Sequence, residues 1–127
     1  MLIFLSILFA VIAGLSKSLQ DICSESNFYN SKLITKFKFN IDFWYKSISS
    51  KNKWKNGDKS QGEKFPGSST IFVMFTDGWH LMDSSRTLFS FLSGGLATLC
   101  FPWYYSIPVV IIIMLIIFET TYSWLKK

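Results

Sequence analysis

The sequence predicts a mainly α-helical protein with three membrane spans and a mixed, partly β, basic loop between spans one and two. Three observations predict it. First, residues 87–105 and 107–125 are apolar runs, and no polar side chain interrupts Val109 to Phe118. A helix needs roughly 20 such residues to cross a bilayer core, so the pair reads as a membrane hairpin. Its hinges are expected at Phe101-Pro102-Trp103 and Ser106-Ile107-Pro108. Second, the chain opens with another apolar run, MLIFLSILFAVIAGL. Third, ten of the thirteen basic residues lie between Lys17 and Lys64, apart from the apolar runs.

The totals agree with this reading. The 127 residues suffice for one domain, divided here as 1–20, 21–68, 69–105 and 106–127. Aromatics are 18% of the chain, a high share that suits lipid-facing or interfacial positions. The two cysteines, Cys23 and Cys100, fall near opposite bilayer faces in a three-span arrangement, so no disulfide is expected between them. One histidine in the whole chain excludes an all-histidine metal centre.

Taken in order, residues 1–20 form the first span. A cleaved signal peptide is the rival. It lacks a positive n-region, and Leu15-Ser16-Lys17 is a poor small-x-small site. Residues 21–68 are the basic, aromatic-rich loop. Within it Phe37, Phe39, Ile41 and Phe43 alternate with Lys36, Lys38, Asn40 and Asp42, a period of two that predicts a strand. Such a strand must pair with another segment or lie on the bilayer. Asn56-Gly57-Asp58 predicts a turn. Trp44, Tyr45 and Trp54 with Lys51, Lys53 and Lys55 resemble a segment at anionic headgroups, where rings and lysines both gather. The alternative is a solvated loop. Nucleic acid is not expected as a partner, because the basic stretch carries no binding motif and is tethered between spans.

Residues 69–105 are expected as one long helix, starting at Ser68-Ser69-Thr70 and containing span two. Ser93, Gly94, Gly95 and Ala97 offer a small face for a neighbouring helix, in this chain, in a second copy or in another membrane protein. Residues 106–127 form span three and end in Lys126-Lys127. Three spans bring the loop and the C-terminus to one side. Their lysines make that side cytoplasmic and leave the N-terminus outside.

The ionisable residues with the best claim to chemistry are Asp77, His80, Asp83 and Glu119. Asp77 and His80 are three apart on a helix, and Asp83 three further. The hairpin brings Glu119 to a similar depth. Such a group can shuttle a proton through the imidazole or bind one divalent metal. It can equally be a structural knot, with Arg86 paired to Asp83, or simply face water. No nucleophile elbow, phosphate loop or Cys/His pattern supports catalysis, and no other cofactor is implied.

The segments Lys53-Trp54-Lys55-Asn56-Gly57-Asp58, Gly62-Glu63-Lys64-Phe65, Gly67-Ser68-Ser69-Thr70 and Thr76-Asp77-Gly78-Trp79-His80-Leu81, with Phe118-Glu119, resemble uncharacterised small integral membrane proteins of phage and bacterial genomes. The resemblance implies a source and no activity. The expected role is non-enzymatic, an interaction or accessory protein at the membrane. Two rivals are a holin-like, pore-forming lysis protein and a membrane enzyme or transporter using Asp77, His80 and Glu119.

Overall fold

The computed structural model describes residues 1–126; Lys127, counted above in the basic C-terminus, lies outside them. The protein is mainly α. Three long helices dominate it: α1 (Leu2–Ser24), α2 (Gly78–Cys100) and α3 (Trp103–Lys126). Helix α1 packs along both others, which touch each other less. Ser6 meets Ser93 and Gln20 meets Asp83, so α2 runs antiparallel to α1. Gly14 lies beside Met114 and Ile117, and Ser18 beside Phe118, so α3 runs parallel to α1. The 25–77 segment and Lys126 therefore share one end of the bundle. Free Cys23 lies near that end and free Cys100 near the other.

Small side chains allow α1 its two neighbours. Ser6, Ala10, Gly14 and Ser18 recur every fourth residue, and none is exposed. A Cβ on Gly14 would stand 2.8 Å from the Met114 carbonyl oxygen, too close for any side chain. The Ser18 hydroxyl sits between the carbonyls of Gly14 (3.0 Å) and Phe118 (3.1 Å). Ser6 and Ser93 exchange hydrogen bonds: each hydroxyl donates to the other's carbonyl, at 2.9 and 2.8 Å. Ala10, Ala97 and Val110 close the same seam.

Two helices, α1 and α3, are long and apolar enough to span a membrane, rather than the three expected. Helix α2 falls short for two reasons. Its first turns carry His80, Asp83 and Arg86. It also ends at Cys100, because Phe101 turns extended (φ −140°, ψ 157°) before Pro102, as a residue preceding proline prefers. The expected run 87–105 is thus split by the Phe101-Pro102 hinge. The second expected hinge, Ser106-Ile107-Pro108, is absorbed inside α3. Pro108 lies one turn inside α3, past the free N–H groups of the first turn, so it removes one i→i−4 bond, to the Tyr104 carbonyl.

The long helix expected from Thr70 starts later, at Gly78. Residues 70–76 form turns and a 3-10 segment, Val73–Phe75. Asp77 is the true cap, with its carboxylate accepting the His80 N–H. The strand expected over 32–45 is also replaced. Lys32–Thr35 and Ile41–Trp44 are single helical turns, and Lys38 reverses the chain between them at φ 56°. A strand needs an edge to pair with, and no strand exists among the described residues. The alternating rings go to two places instead: Phe37 to Trp124 on α3, Phe39 to Trp44. The predicted turn at 56–58 forms, with Asn56 and Gly57 at φ 51° and 75°. It sits within a single antiparallel bridge, Trp54 to Glu63.

The 25–77 segment folds over the bundle end as a cap with its own core. Ile22 and Cys23 of α1 and Leu125 of α3 supply the floor, and Phe28 and Leu33 fill it. Trp44, Tyr45, Trp79 and Tyr122 pack around them.

The contrast between two glycines tests the seam. Gly14→Leu should destabilise the bundle by about 1–3 kcal/mol or more through overpacking. Gly95→Ala, with open space around it, should be neutral or gain about 0.5–1 kcal/mol in helix propensity. Denaturant unfolding in detergent micelles reads both. Equal effects would refute the close approach.

Candidate functional site

The loop before α2 brings Asp77 and His80 together. Asp77 is 1% exposed and caps the helix, its Oδ1 accepting the His80 N–H at 2.9 Å. Its Oδ2 lies 2.7 Å from His80 Nδ1. That geometry orients the imidazole with Nδ1–H toward the carboxylate and leaves Nε2 at the partly exposed edge. Gly78 is required here: a Cβ would fall 2.3 Å from the Trp44 ring. Asn52 ties the turn to the cap, donating to the carbonyls of Asp42 (2.8 Å) and Thr76 (3.2 Å).

Asp83 belongs to a different cluster. Its Oδ1 accepts from Arg86 Nη2 and from Gln20 Nε2 of α1, both at 2.9 Å. Gln20 Oε1 and Arg86 Nε are buried there without a protein partner. Glu119 is exposed on α3, with no hydrogen-bond partner among the described residues. The four expected residues thus divide into an Asp77–His80 pair, an Asp83–Arg86–Gln20 cluster and a separate Glu119. No three His, Cys, Asp or Glu side chains gather to hold a metal among the described residues. The Asp77–His80 pair resembles the orienting half of a proton relay. No serine, threonine or cysteine bonds to Nε2 among the described residues to complete it. What the pair visibly does is fasten the start of α2 to the cap.

The residues expected at a membrane surface divide between half-buried rings and, in Lys51 and Lys55, exposed lysines. Trp44 packs over Gly78 and against Phe39, at 4.8 Å between ring centres. Tyr45 stacks on buried Phe28 at 5.1 Å and 4°. Trp54 is half-buried between Lys53 and Lys59. Lys51 and Lys55 are exposed, and the Lys53 carbonyl accepts from Ser68 Oγ. The small face also divides. Ser93 and Ala97 are buried against α1, whereas nothing lies near Gly94 or Gly95.

Several contacts were not foreseen. Tyr122 and Lys126 of α3 both bond Glu25, just past α1. Trp124 gathers Lys32 and Lys36, whose ammonium groups stand 4.3 and 5.4 Å from its ring centre. A cleft of about 250 Å³ lies between Ile3, Ile7, Ala97, Phe101 and Val110 and is almost wholly apolar. It offers space without a reactive group.

Asp77→Ala should cost about 2–4 kcal/mol in unfolding free energy, losing a cap and a charge-assisted hydrogen bond together. Asp77→Asn keeps the cap and should cost clearly less. An equal loss would mean the cap contributes nothing. In the cap, Ser69 Oγ and the N–H groups of Gly67 and Ser69 hold the Glu63 carboxyl below its usual pKa. A lowered folded pKa adds stability that is present above the unfolded value and lost as pH falls through the folded one. The Gly67 and Ser69 amide resonances should therefore shift together below about pH 4.5. Glu63→Gln should remove that transition.

No family model matches this sequence, and neither a curated protein nor a solved structure is detectably similar to it. Any role is therefore argued from the geometry alone.

Proposed function

We propose that the chain is a small integral membrane protein with a non-enzymatic role. Its bundle sits in the bilayer and presents the folded 25–77 cap to partners on the cytoplasmic side. One observation carries the reading: the bundle is built inside out. Serine, alanine and glycine occupy its seams, while Phe4, Phe91, Leu99, Ile111, Ile112 and Ile116 point outward, Phe91 at 77% exposure. A core helix of a soluble protein buries such residues, whereas a lipid-facing helix exposes them. Most of α1 and α3 is unburied despite mean hydropathies of 2.2 and 1.9.

Helix α2 enters the bilayer with its partners. It is too polar at its start to span alone, but its 87–100 half lies along α1 and bonds it through Ser93. The charged groups support the same depth. Lys17 and Asp21 pair on α1 (2.5 Å), Asp83 and Arg86 pair on α2, and Lys17 lies over Phe118, next to Glu119. They form a collar at one level, where headgroups and water reach charged side chains. Lysine content favours a cytoplasmic cap.

Cysteine accessibility tests this. In a Cys100→Ser background, buried Cys23 should stay silent until the protein unfolds. Ser60→Cys, exposed in the cap, should label only from the cytoplasmic side, and Tyr104→Cys only from the other. Release of the protein by alkaline carbonate would refute integral insertion. Labelling of Ser60→Cys from outside would invert the orientation.

A further inference from the structure

We propose that Lys32, Lys36, Phe37 and Trp124 form a headgroup site for an anionic phospholipid, its acyl chain descending a groove beside Leu15, Thr120 and Thr121. This rests on the membrane reading above and assigns a residue-level lipid contact to it.

Cations at this end of the bundle differ in their partners. Arg86, Lys17 and Lys126 each have a carboxylate partner, namely Asp83, Asp21 and Glu25. Lys32 and Lys36, like the other lysines of the 25–77 cap, have none among the described residues. They flank one helical turn, Lys32–Thr35, and both converge on the same indole. Cation–π attraction holds each ammonium near the ring, yet brings two like charges together. An anion between them removes that cost.

The surroundings select a lipid over a soluble anion. Trp124 is 44% exposed and Phe37 48%, with ring centres 6.0 Å apart. Free phosphate would leave both rings in water. A phospholipid covers them, because indole favours the headgroup level and its acyl chain continues along the bundle. Such a path exists: Leu15, Thr120, Thr121 and Trp124 line a shallow groove between α1 and α3. It adjoins the lysines through Trp124 and reaches Leu15 of α1. The charge therefore points to phosphatidylglycerol or a similar anionic lipid.

Native mass spectrometry of the full chain, released from micelles containing phosphatidylglycerol or phosphatidylcholine, tests the site. The wild-type chain should retain phosphatidylglycerol about tenfold better than phosphatidylcholine. Lys32→Ala/Lys36→Ala should lose that preference, and Lys32→Arg/Lys36→Arg should keep it. Lys59→Ala/Lys64→Ala removes the same charge elsewhere and should change retention less than about twofold. Equal loss in that control, or no preference in the wild type, would overturn the site. So would displacement of the lipid by inorganic phosphate at about 10 mM, which marks a free-anion site. Carbonate extraction of the same proteins separates the two readings. A chain that stays in the membrane without lipid preference refutes the site alone; a chain that is extracted refutes both.

Discussion

The structure depends on how closely α1 can approach two helices at once. Ser6 and Ser93 set the distance on one side, each hydroxyl reaching the other's backbone carbonyl. Gly14 sets it on the other, with the Met114 carbonyl where a side chain would be. Backbones this close favour serine, alanine and glycine on the α1 side of the seams, with Val110 and Ile117 of α3 packed against them. Many of the large apolar side chains are then turned outward, Phe4, Phe91 and Leu99 the furthest. The apolar exterior and the polar-looking interior are one consequence of a single spacing. In lipid the arrangement is sustainable, since lipid tails cover the exterior and packing with interhelical hydrogen bonds holds the seam. The hydrogen bonds need not be strong, because those measured between membrane helices average about 0.6 kcal/mol. Their geometry excludes larger residues, and that fixes the register.

The same spacing carries the cap. Helix α1 continues past the collar to Ser24, and its last turn offers Ile22 and Cys23 as a hydrophobic floor. Helix α3 ends alongside, adding Leu125. A segment of about fifty residues with no strand to pair can then order itself around aromatic contacts: Tyr45 on Phe28, Trp44 over Gly78. Asp77 joins the cap to α2 with one carboxylate that serves two donors. The bundle and the cap are therefore not independent. Glu25 accepts from Tyr122 and Lys126, which locks the ends of α1 and α3 beneath the cap.

The three helices, the Pro102 break and the Asn56-Gly57 turn are legible in the sequence, because they follow from local rules of apolar length, proline and positive φ. The helical character of 32–45 is not. Its alternation of Phe and Lys matches a strand, yet the partner edge that a strand needs is a property of the whole chain. The start of α2 was misplaced for a related reason. Ser68, Ser69 and Thr70 look like caps, but Ser68 and Ser69 spend their hydroxyls on Lys53 and Glu63. Asp77, read as a site residue, is the cap. The convergence of Glu119 on His80 required a face assignment that hydropathy cannot give. The spacing of Ser6, Ala10, Gly14 and Ser18 was present in the sequence as small residues every fourth position. It is hidden by the larger apolar residues between them, which dominate any hydropathy reading.

If the bundle is inserted as proposed, the collar limits how deep it can sit. Apolar residues on the bundle side of it run from 2 to 16, 87 to 100 and 103 to 118. At 1.5 Å per residue these lengths are about 21–24 Å, against a typical hydrocarbon core of about 30 Å. Tilting cannot correct this, since it shortens the apolar reach further. The remaining adjustments are a locally thinner bilayer or side chains that stretch to meet the headgroups. Lys17 and Arg86 have the long stems for the second. Either adjustment draws the headgroup layer toward the collar and brings the cap down onto it. Trp124 then sits at headgroup depth, one turn and a half beyond Glu119, rather than in the water above. In that placement the charge of Lys32 and Lys36 would stand within reach of a lipid phosphate, as the proposed headgroup site requires.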